Sequence, residues 1–369
     1  MKVGIHVDQL WASAPGGIGA YTRELVQALA ELDDGPEIVL FHSTFPQGVP
    51  EAWLDDFQRV VVPGGIATLY PRWNLTARPR LPQALGDCDV IHAPLHAAIP
   101  PVGSGQRLVV TVHDLAFMVT PEAFPARWRT MYRLGLRAAV ARADALIAPS
   151  TQTAEDLASR TGIDPSRVRV VAEASSLAFS DSDPPAVAER LGLPRPYLLF
   201  VGTLEPRKNL VNLVRAYRKA AEGGLAHALV LAGGKGWRTE ELDRELALSG
   251  PGTVVVTGRL DAPDLDAVYR GASAFAYVST YEGFGLPVLE AMERGVPVVT
   301  SKTSSLPEVA GDAAVLVDPD SVPALADALR RVLTDEELAG TLSRAGLERA
   351  AGFSWERTAR LTMEVYGDR

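Results

Sequence analysis

The 369-residue sequence lacks the features that mark secreted, nucleic-acid-binding and membrane-spanning proteins. Its single cysteine, Cys88, excludes an internal disulfide and a cluster of thiolate metal ligands, which is typical of a cytosolic protein. Its net charge of −9 argues against nucleic acid as a partner, because phosphate binding requires a basic surface. No apolar run reaches the roughly 18–20 residues that span a bilayer, and the polar start of the chain predicts a strand rather than a signal peptide.

The composition is that of an ordinary globular protein, with 47% hydrophobic and 22% charged residues. The length exceeds what one compact core usually holds and suits two domains. Short apolar runs alternate with longer amphipathic stretches, which predicts parallel sheets covered by helices on both faces. The predicted strands are residues 2–7, 37–42, 89–92, 107–112, 145–148, 167–171, 197–201, 228–232, 253–257, 274–278, 297–300 and 314–317.

A polar, proline-rich stretch at residues 180–185 is typical of a linker between domains. It predicts a first domain over 1–180, with a long loop-rich region at 63–85. It also predicts a second, doubly wound α/β domain over 181–352. Two such domains usually hold a ligand between the carboxyl ends of their strands.

The segment 279–292 is the most informative part of the sequence. A predicted strand ends before it, and a glycine-rich turn with Gly283 and Gly285 leads into a helix that has a proline in its first turn. The glycines allow close approach of the backbone to a ligand, and the free N–H groups of the helix start favour phosphate. Glu282 lies in the turn and Glu290 more than one turn inside the helix, so the two carboxylates can meet different parts of one ligand.

This segment resembles the donor-site signature of retaining glycosyltransferases of family 4, in which seven residues separate two glutamates. Residues 201–209 look like that family's phosphate-binding turn, and residues 111–115 look like its first-domain active-site turn. Residues 353–356 resemble the start of its final helix, so that 353–369 is expected to cross back to the first domain. The closest resemblance is to bacterial polysaccharide mannosyltransferases. It implies the GT-B fold, in which two facing Rossmann-like, doubly wound domains enclose a cleft.

The resemblance also implies site residues. The expected catalytic residues are His113, Glu282, Arg207 and Lys208. The expected donor-binding residues are Gly17, Gly202, Arg207, Lys208, Gly283, Phe284, Gly285, Leu286 and Glu290. Of these, Gly17 lies in a glycine-rich loop at residues 15–21, which by itself is weak evidence because the third glycine of a dinucleotide fingerprint is missing. His113 is expected to contact the donor sugar, and Glu290 the ribose.

Arg207 and Lys208 also support a phosphate site on physical grounds. They stand between a predicted strand and a helix start, where the helix dipole is unfavourable for cations unless an anion compensates. A diphosphate leaving group gains negative charge as the glycosidic bond breaks, so fixed cations stabilise the transition state more than the ground state.

A second basic segment lies at residues 127–142, where Arg129, Arg133 and Arg137 recur with helical spacing. One interpretation is a solvated helix face. The other is a surface that binds an anionic acceptor or the membrane face. Trp73 and its basic neighbours would then extend that surface as an acceptor lip.

We therefore expect a cytoplasmic enzyme that transfers a hexose from a nucleoside diphosphate sugar to a hydroxyl acceptor, which is a glycan, a lipid-linked molecule or a small molecule. GDP-mannose is the favoured donor by resemblance alone. The alternatives are a UDP-sugar-dependent glycosyltransferase, a GT-B sugar-nucleotide 2-epimerase and a non-catalytic sugar-nucleotide binding module. No cofactor besides the sugar nucleotide is expected.

No metal is expected either, although the sequence has four Asp-x-Asp pairs. None lies beside the segment 282–290, and the protein's own cations would neutralise the diphosphate. The pairs are Asp87/Asp89, Asp181/Asp183, Asp264/Asp266 and Asp318/Asp320.

One departure from the family concerns the turn after the strand at 167–171. Many family members have an Asn-Gly-Val type of turn there, whereas this chain has Ala172, Glu173 and Ala174. No site residue is therefore carried over to this turn.

Overall fold

The computed structural model describes residues 1–12, 16–46 and 51–368. The chain divides into two compact units: unit 1 comprises Met1–Ser176 and Ser354–Arg369, and unit 2 comprises Leu177–Phe353. Each unit is built around one parallel sheet.

Unit 1 has a seven-stranded sheet in the order β3-β2-β1-β4-β5-β6-β7. Its strands are β1 (Lys2–His6), β2 (Glu37–Ser43), β3 (Gln58–Val62), β4 (Val90–Ala93), β5 (Arg107–Thr111), β6 (Ala145–Ala148) and β7 (Val168–Val170). The helices that follow them are α1 (Gly16–Glu31), α2 (Ile66–Thr76), α3 (Ala116–Val119), α4 (Ala126–Arg142) and α5 (Thr151–Thr161).

Unit 2 has a six-stranded sheet in the order β10-β9-β8-β11-β12-β13. Its strands are β8 (Tyr197–Val201), β9 (Ala228–Ala232), β10 (Val254–Gly258), β11 (Ala274–Tyr277), β12 (Val298–Ser301) and β13 (Ala314–Val317). Its helices are α6 (Pro184–Arg190), α7 (Leu210–Ala221), α8 (Glu240–Ala247), α9 (Ala262–Arg270), α10 (Leu286–Glu293), α11 (Leu306–Ala310), α12 (Val322–Thr334) and α13 (Glu336–Ala350). The strand order reverses between β8 and β11, and such a switch point is where open α/β sheets bind ligands.

The last helix, α14 (Trp355–Gly367), belongs to unit 1, where it packs against α1. Its Tyr366 is buried, and the Tyr366 hydroxyl lies 2.7 Å from Nδ1 of His92 on β4. Buried side chains of β1, α1 and α14 form one apolar cluster of unit 1, and buried side chains of α2 and α4 belong to a second cluster. Within the described ranges, no helix is long and apolar enough to cross a membrane.

The prediction of two doubly wound parallel sheets is confirmed. The prediction that residues 63–85 are rich in loops is wrong in part, because α2 occupies their middle. Leu69, Tyr70 and Trp73 have helical spacing and are buried on this helix. The Trp73 indole is fully buried and donates to the Pro79 carbonyl at 3.1 Å, so Trp73 is a core residue and not part of an exposed acceptor lip.

Asp266 on α9 is the centre of a buried ion cluster in unit 2. Its carboxylate accepts hydrogen bonds from Arg294 Nε at 2.8 Å and from Arg270 Nε at 2.9 Å. It also accepts from the Ser180 backbone and hydroxyl, which ties the start of unit 2 to α9. The side chains of Asp266 and Arg294 are both fully buried. Asp266, which belongs to one of the four Asp-x-Asp pairs, therefore neutralises a buried arginine in the structure.

We predict that Asp266→Asn destabilises unit 2 by about 3–5 kcal/mol, because it removes the fully buried carboxylate that pairs with Arg294 at 2.8 Å and leaves only the longer, 3.4 Å pair with Glu293. Urea unfolding measures this change. The matched control is Asp327→Asn, which removes an equally short but exposed pair with Arg330 and should change stability by less than about 1 kcal/mol. Equal effects of the two substitutions would contradict the role assigned to Asp266.

Candidate active site

Two turns meet at the switch point of the unit 2 sheet. The turn after β8 carries Arg207 and Lys208, and the turn after β11 carries Glu282. The two strands are neighbours in the sheet, and the Thr280 N–H donates to the Arg207 carbonyl at 3.0 Å. The structure therefore brings together three of the four predicted catalytic residues.

Each of the two turns contains a glycine with a positive φ. Gly202 has a φ of +148° and Gly285 a φ of +121°, a region of backbone conformation that other residues rarely adopt. A Cβ atom on Gly285 would lie 2.7 Å from Cδ2 of Leu306, which would have to shift, so the backbone conformation is the main reason for glycine there. Helix α10 begins directly afterwards at Leu286, with Pro287 in its first turn.

The charged side chains of the two turns form one buried cluster. The Glu282 carboxylate accepts from Lys208 Nζ at 2.6 Å and from Arg207 Nη1 at 2.5 Å. Arg207 Nη2 also pairs with Glu205 Oε1 at 2.8 Å. Lys208 Nζ also donates to the Tyr277 hydroxyl at 2.5 Å. Glu205, Lys208 and Glu282 are each less than 8% exposed, and the cluster balances two cations with two carboxylates.

This pairing determines the protonation of Glu282. Burial alone would raise the pKa of the Glu282 carboxyl, but Arg207 and Lys208 outweigh it and lower that pKa to about 2. Burial, together with the charge of Arg207, lowers the pKa of Lys208 from its usual value. Glu282 is thus a firmly ionised carboxylate.

Glu290 lies apart from this cluster, on helix α10. The Tyr269 hydroxyl donates to its Oε2 at 2.8 Å. Burial raises the pKa of Glu290, in the opposite direction from Glu282. The two glutamates of the signature therefore have different partners and different acidities, and they share no proton.

The remaining predicted donor-binding residues of unit 2 belong to the same turns. Gly283 and Phe284 are buried in the turn after β11. Ser305 Oγ donates to the carbonyls of Glu282 at 3.0 Å and of Phe284 at 2.7 Å, and the Glu282 N–H donates to Ser304 Oγ at 3.0 Å.

Four further residues belong to this site and are not among those predicted from the sequence, namely Glu205, Tyr277, Ser304 and Ser305. A signal for the serines exists in the sequence, because they follow the strand predicted at 297–300. The ends of neighbouring parallel strands meet at one edge of the sheet.

In unit 1, the fourth predicted catalytic residue, His113, lies two residues beyond β5. Its Nδ1 is 2.7 Å from Oε1 of Glu173, and its Nε2 is 2.9 Å from the Pro94 carbonyl oxygen. Glu173 lies in the turn that departs from the family pattern. That departure is the feature of the sequence that could have indicated Glu173 as a site residue. Gly17 is exposed in the first turn of α1, and Pro15 of the same loop lies outside the described residues.

The arginines predicted on the acceptor side lie on α4. Arg133 and Arg137 are exposed, whereas Arg129 is partly buried and donates to the Pro121 carbonyl at 3.2 Å. Their role in binding an acceptor stays a prediction.

Within the parts of the chain that the structure describes, no three or more His, Cys, Asp or Glu side chains group together as a metal site would require. Several aspartates of the Asp-x-Asp pairs bind backbone or lysine groups. Asp89 accepts from the Lys2 N–H, Asp183 caps α6, and Asp318 pairs with Lys302.

Comparisons with known proteins match both units. The model of the family "Glycosyltransferase Family 4" matches residues 15–174, and that of "Glycosyl transferases group 1" matches residues 187–349. O-antigen chain mannosyltransferase B of Escherichia coli is 31% identical over 369 residues, which cover 95% of each chain. Serotype-specific mannosyltransferase WbdA of Escherichia coli is 32% identical over 282 residues, or 73% of this chain and 34% of that longer protein.

A likeness in structure accompanies the likeness in sequence. The crystal structure of Anabaena Alr3699/HepE in complex with UDP and glucose aligns with a TM-score of 0.75 and 19% identity over 100% of both chains. These findings confirm the predicted family resemblance and the GT-B fold.

We predict that Glu282 stabilises unit 2 by roughly 3 kcal/mol above about pH 4.5, since its folded pKa is about 2 and its usual value is 4.5. A lowered carboxyl pKa contributes stability that is lost as the pH falls through the folded pKa. The stability difference between wild type and Glu282→Gln should therefore shrink between about pH 5 and pH 2. Denaturant unfolding at each pH measures it, with the exposed Glu348→Gln as the matched control. A difference that stays constant over this range would contradict the assigned pairing.

Proposed function

Since the chain belongs to glycosyltransferase family 4, we propose that it transfers mannose from GDP-mannose to a hydroxyl group of a glycan acceptor, with retention of the anomeric configuration. The observation that carries this proposal is the buried cluster of Arg207, Lys208 and Glu282 at the switch point of unit 2. The choice of mannose and of a glycan acceptor is supported by the 31% identity to an O-antigen chain mannosyltransferase over 95% of the chain.

The cluster is suited to a diphosphate because its two cations already face one shared carboxylate. A diphosphate carries at least as much negative charge as Glu282 and can take its place beside Arg207 and Lys208. The charge-assisted hydrogen bonds contribute roughly 1.5–3 kcal/mol each. They strengthen as the leaving group gains charge, so the same cations lower the barrier to transfer.

The two glutamates have separate roles in this proposal. Glu282 turns from the cations to the donor sugar, where its ionised oxygens accept hydrogen bonds from sugar hydroxyls. Glu290 accepts from the ribose hydroxyls through the carboxyl oxygen that Tyr269 does not bind.

A substitution on one face of the sugar is favoured over a covalent intermediate, because the proposal assigns the oxygens of Glu282 to the sugar hydroxyls and not to the anomeric carbon. In the proposed step, the bond from the anomeric carbon to the phosphate oxygen breaks through an oxocarbenium-like transition state. The acceptor oxygen bonds to the same carbon from the same face, and its proton passes to an oxygen of the departing diphosphate.

The principal alternative is transfer from a UDP-sugar. It is favoured by one observation, the likeness to a structure that was solved with UDP and glucose. A sugar-nucleotide 2-epimerase is a further alternative with the same architecture.

The reaction is proposed to need no metal ion. Arg207 and Lys208 supply the positive charge that a divalent cation would otherwise supply to the diphosphate.

The proposal is tested by incubating the protein with GDP-mannose or UDP-glucose and mannose-containing oligosaccharides, with NMR of the product's anomeric configuration. We expect mannose transfer with retention, and transfer that persists in excess EDTA with at most a modest stimulation by Mg²⁺. Transfer from UDP-glucose alone would favour the alternative donor, and a new sugar nucleotide formed without acceptor would show an epimerase. Complete loss of activity on chelation, restored by Mg²⁺, would contradict the phosphate role of Arg207 and Lys208.

A further inference from the structure

Both ring nitrogens of His113 face hydrogen-bond acceptors of unit 1. Nε2 lies 2.9 Å from the Pro94 carbonyl oxygen, which can only accept, so Nε2 carries a proton. Nδ1 lies 2.7 Å from Oε1 of Glu173, and an ionised carboxylate also only accepts. With both bonds made, the ring is an imidazolium ion.

Glu173 and His113 are each other's counter-ion in a largely buried position. Glu173 is 5% exposed, and the side chain of His113 is 14% exposed. A buried carboxylate requires a positive partner, because removing an unpaired charge from water costs several kcal/mol. Glu173 and the charged His113 satisfy that requirement for each other.

The other groups around His113 are consistent with a charged ring. Asp114 adds a negative charge beside it, and the ring of the neutral Tyr21 meets it edge to face at 4.7 Å. Burial lowers the pKa of His92 and of His96 to about 3, so these neighbours are neutral. Burial also acts to lower the pKa of His113, but the hydrogen bond and charge of Glu173 outweigh it and the pKa is raised.

We propose that Glu173 is a positioning residue for the transfer reaction, which holds His113 as an oriented imidazolium whose Nε2–H is always a donor. The inference rests on the proposed function and on the expectation, from the family resemblance, that His113 contacts the donor sugar. Nε2–H can then turn from the Pro94 carbonyl to a substrate oxygen without any change of tautomer. Because neither nitrogen keeps a lone pair, His113 is not the base that deprotonates the acceptor.

The protonation state is measured directly by NMR of the protein labelled with ¹⁵N in its histidine rings. At about pH 7.5, one unit above the usual histidine pKa, both ring nitrogens of His113 should give imidazolium signals. The spectrum of His113→Gln assigns these signals, which should change in Glu173→Gln. A neutral His113 ring in the wild-type protein would overturn the proposal, whether or not the enzyme is active.

The kinetic test compares pH profiles of kcat/KM. Glu173→Gln removes the charge that keeps His113 protonated. As the pH is raised, the kcat/KM of this variant should therefore begin to fall at a pH at least one unit lower than the kcat/KM of wild type. At about pH 8 the loss should reach roughly tenfold. Glu173→Asp keeps the charge and should restore the alkaline limb, while the exposed Glu155→Gln on α5 should leave the profile unchanged.

A double-variant cycle separates positioning from a purely structural effect. If Glu173 acts through His113, adding Glu173→Gln to His113→Gln should change kcat/KM by less than twofold. Superimposable pH profiles of wild type and Glu173→Gln, or fully additive losses, would overturn the proposal. Absence of transfer by the wild type with every donor would instead count against the proposed function, and the NMR result would still decide the state of His113.

Discussion

A buried carboxylate shared by two cations is the interaction on which the candidate active site of unit 2 depends. Glu282 lies within 2.6 Å of both Lys208 and Arg207, and an unpaired charge at such depth costs several kcal/mol. The turns after β8 and β11 must therefore keep their relative positions for either to be stable. In the proposed function, a diphosphate would be a replacement counter-ion for the same two cations.

Much of this site could be predicted from the sequence, because parallel strands end at one edge of a sheet. Residues 201–209 and 279–292 each join a predicted strand to a helix through a glycine-containing turn. Doubly wound topology then places Arg207, Lys208 and Glu282 close together. The positive φ of Gly202 and Gly285 gives a physical reason for the glycines in these turns.

Other features depend on tertiary contacts that no local pattern contains. The sequence shows Glu205 beside Arg207 in the chain, but their pairing depends on the directions of two long side chains. Trp73 was interpreted as exposed because arginines surround it in sequence, whereas its spacing from Leu69 is helical and both side chains are buried. Glu173 was recognised only as a departure from the family, since its partner His113 is distant in sequence and lies beyond another strand.

The affinity of the free protein for GDP and UDP is the sharpest test of the proposal that Arg207 and Lys208 bind the diphosphate, in the place that Glu282 occupies beside them. Calorimetry on Lys208→Met should show affinity for the preferred nucleotide reduced at least tenfold, as expected for the loss of a charge-assisted hydrogen bond. The exposed Lys302→Met should bind as the wild type does. Glu282→Gln should bind at least as tightly as wild type, because it removes a negative charge that competes with the diphosphate for both cations. Unchanged affinity in Lys208→Met would contradict the account.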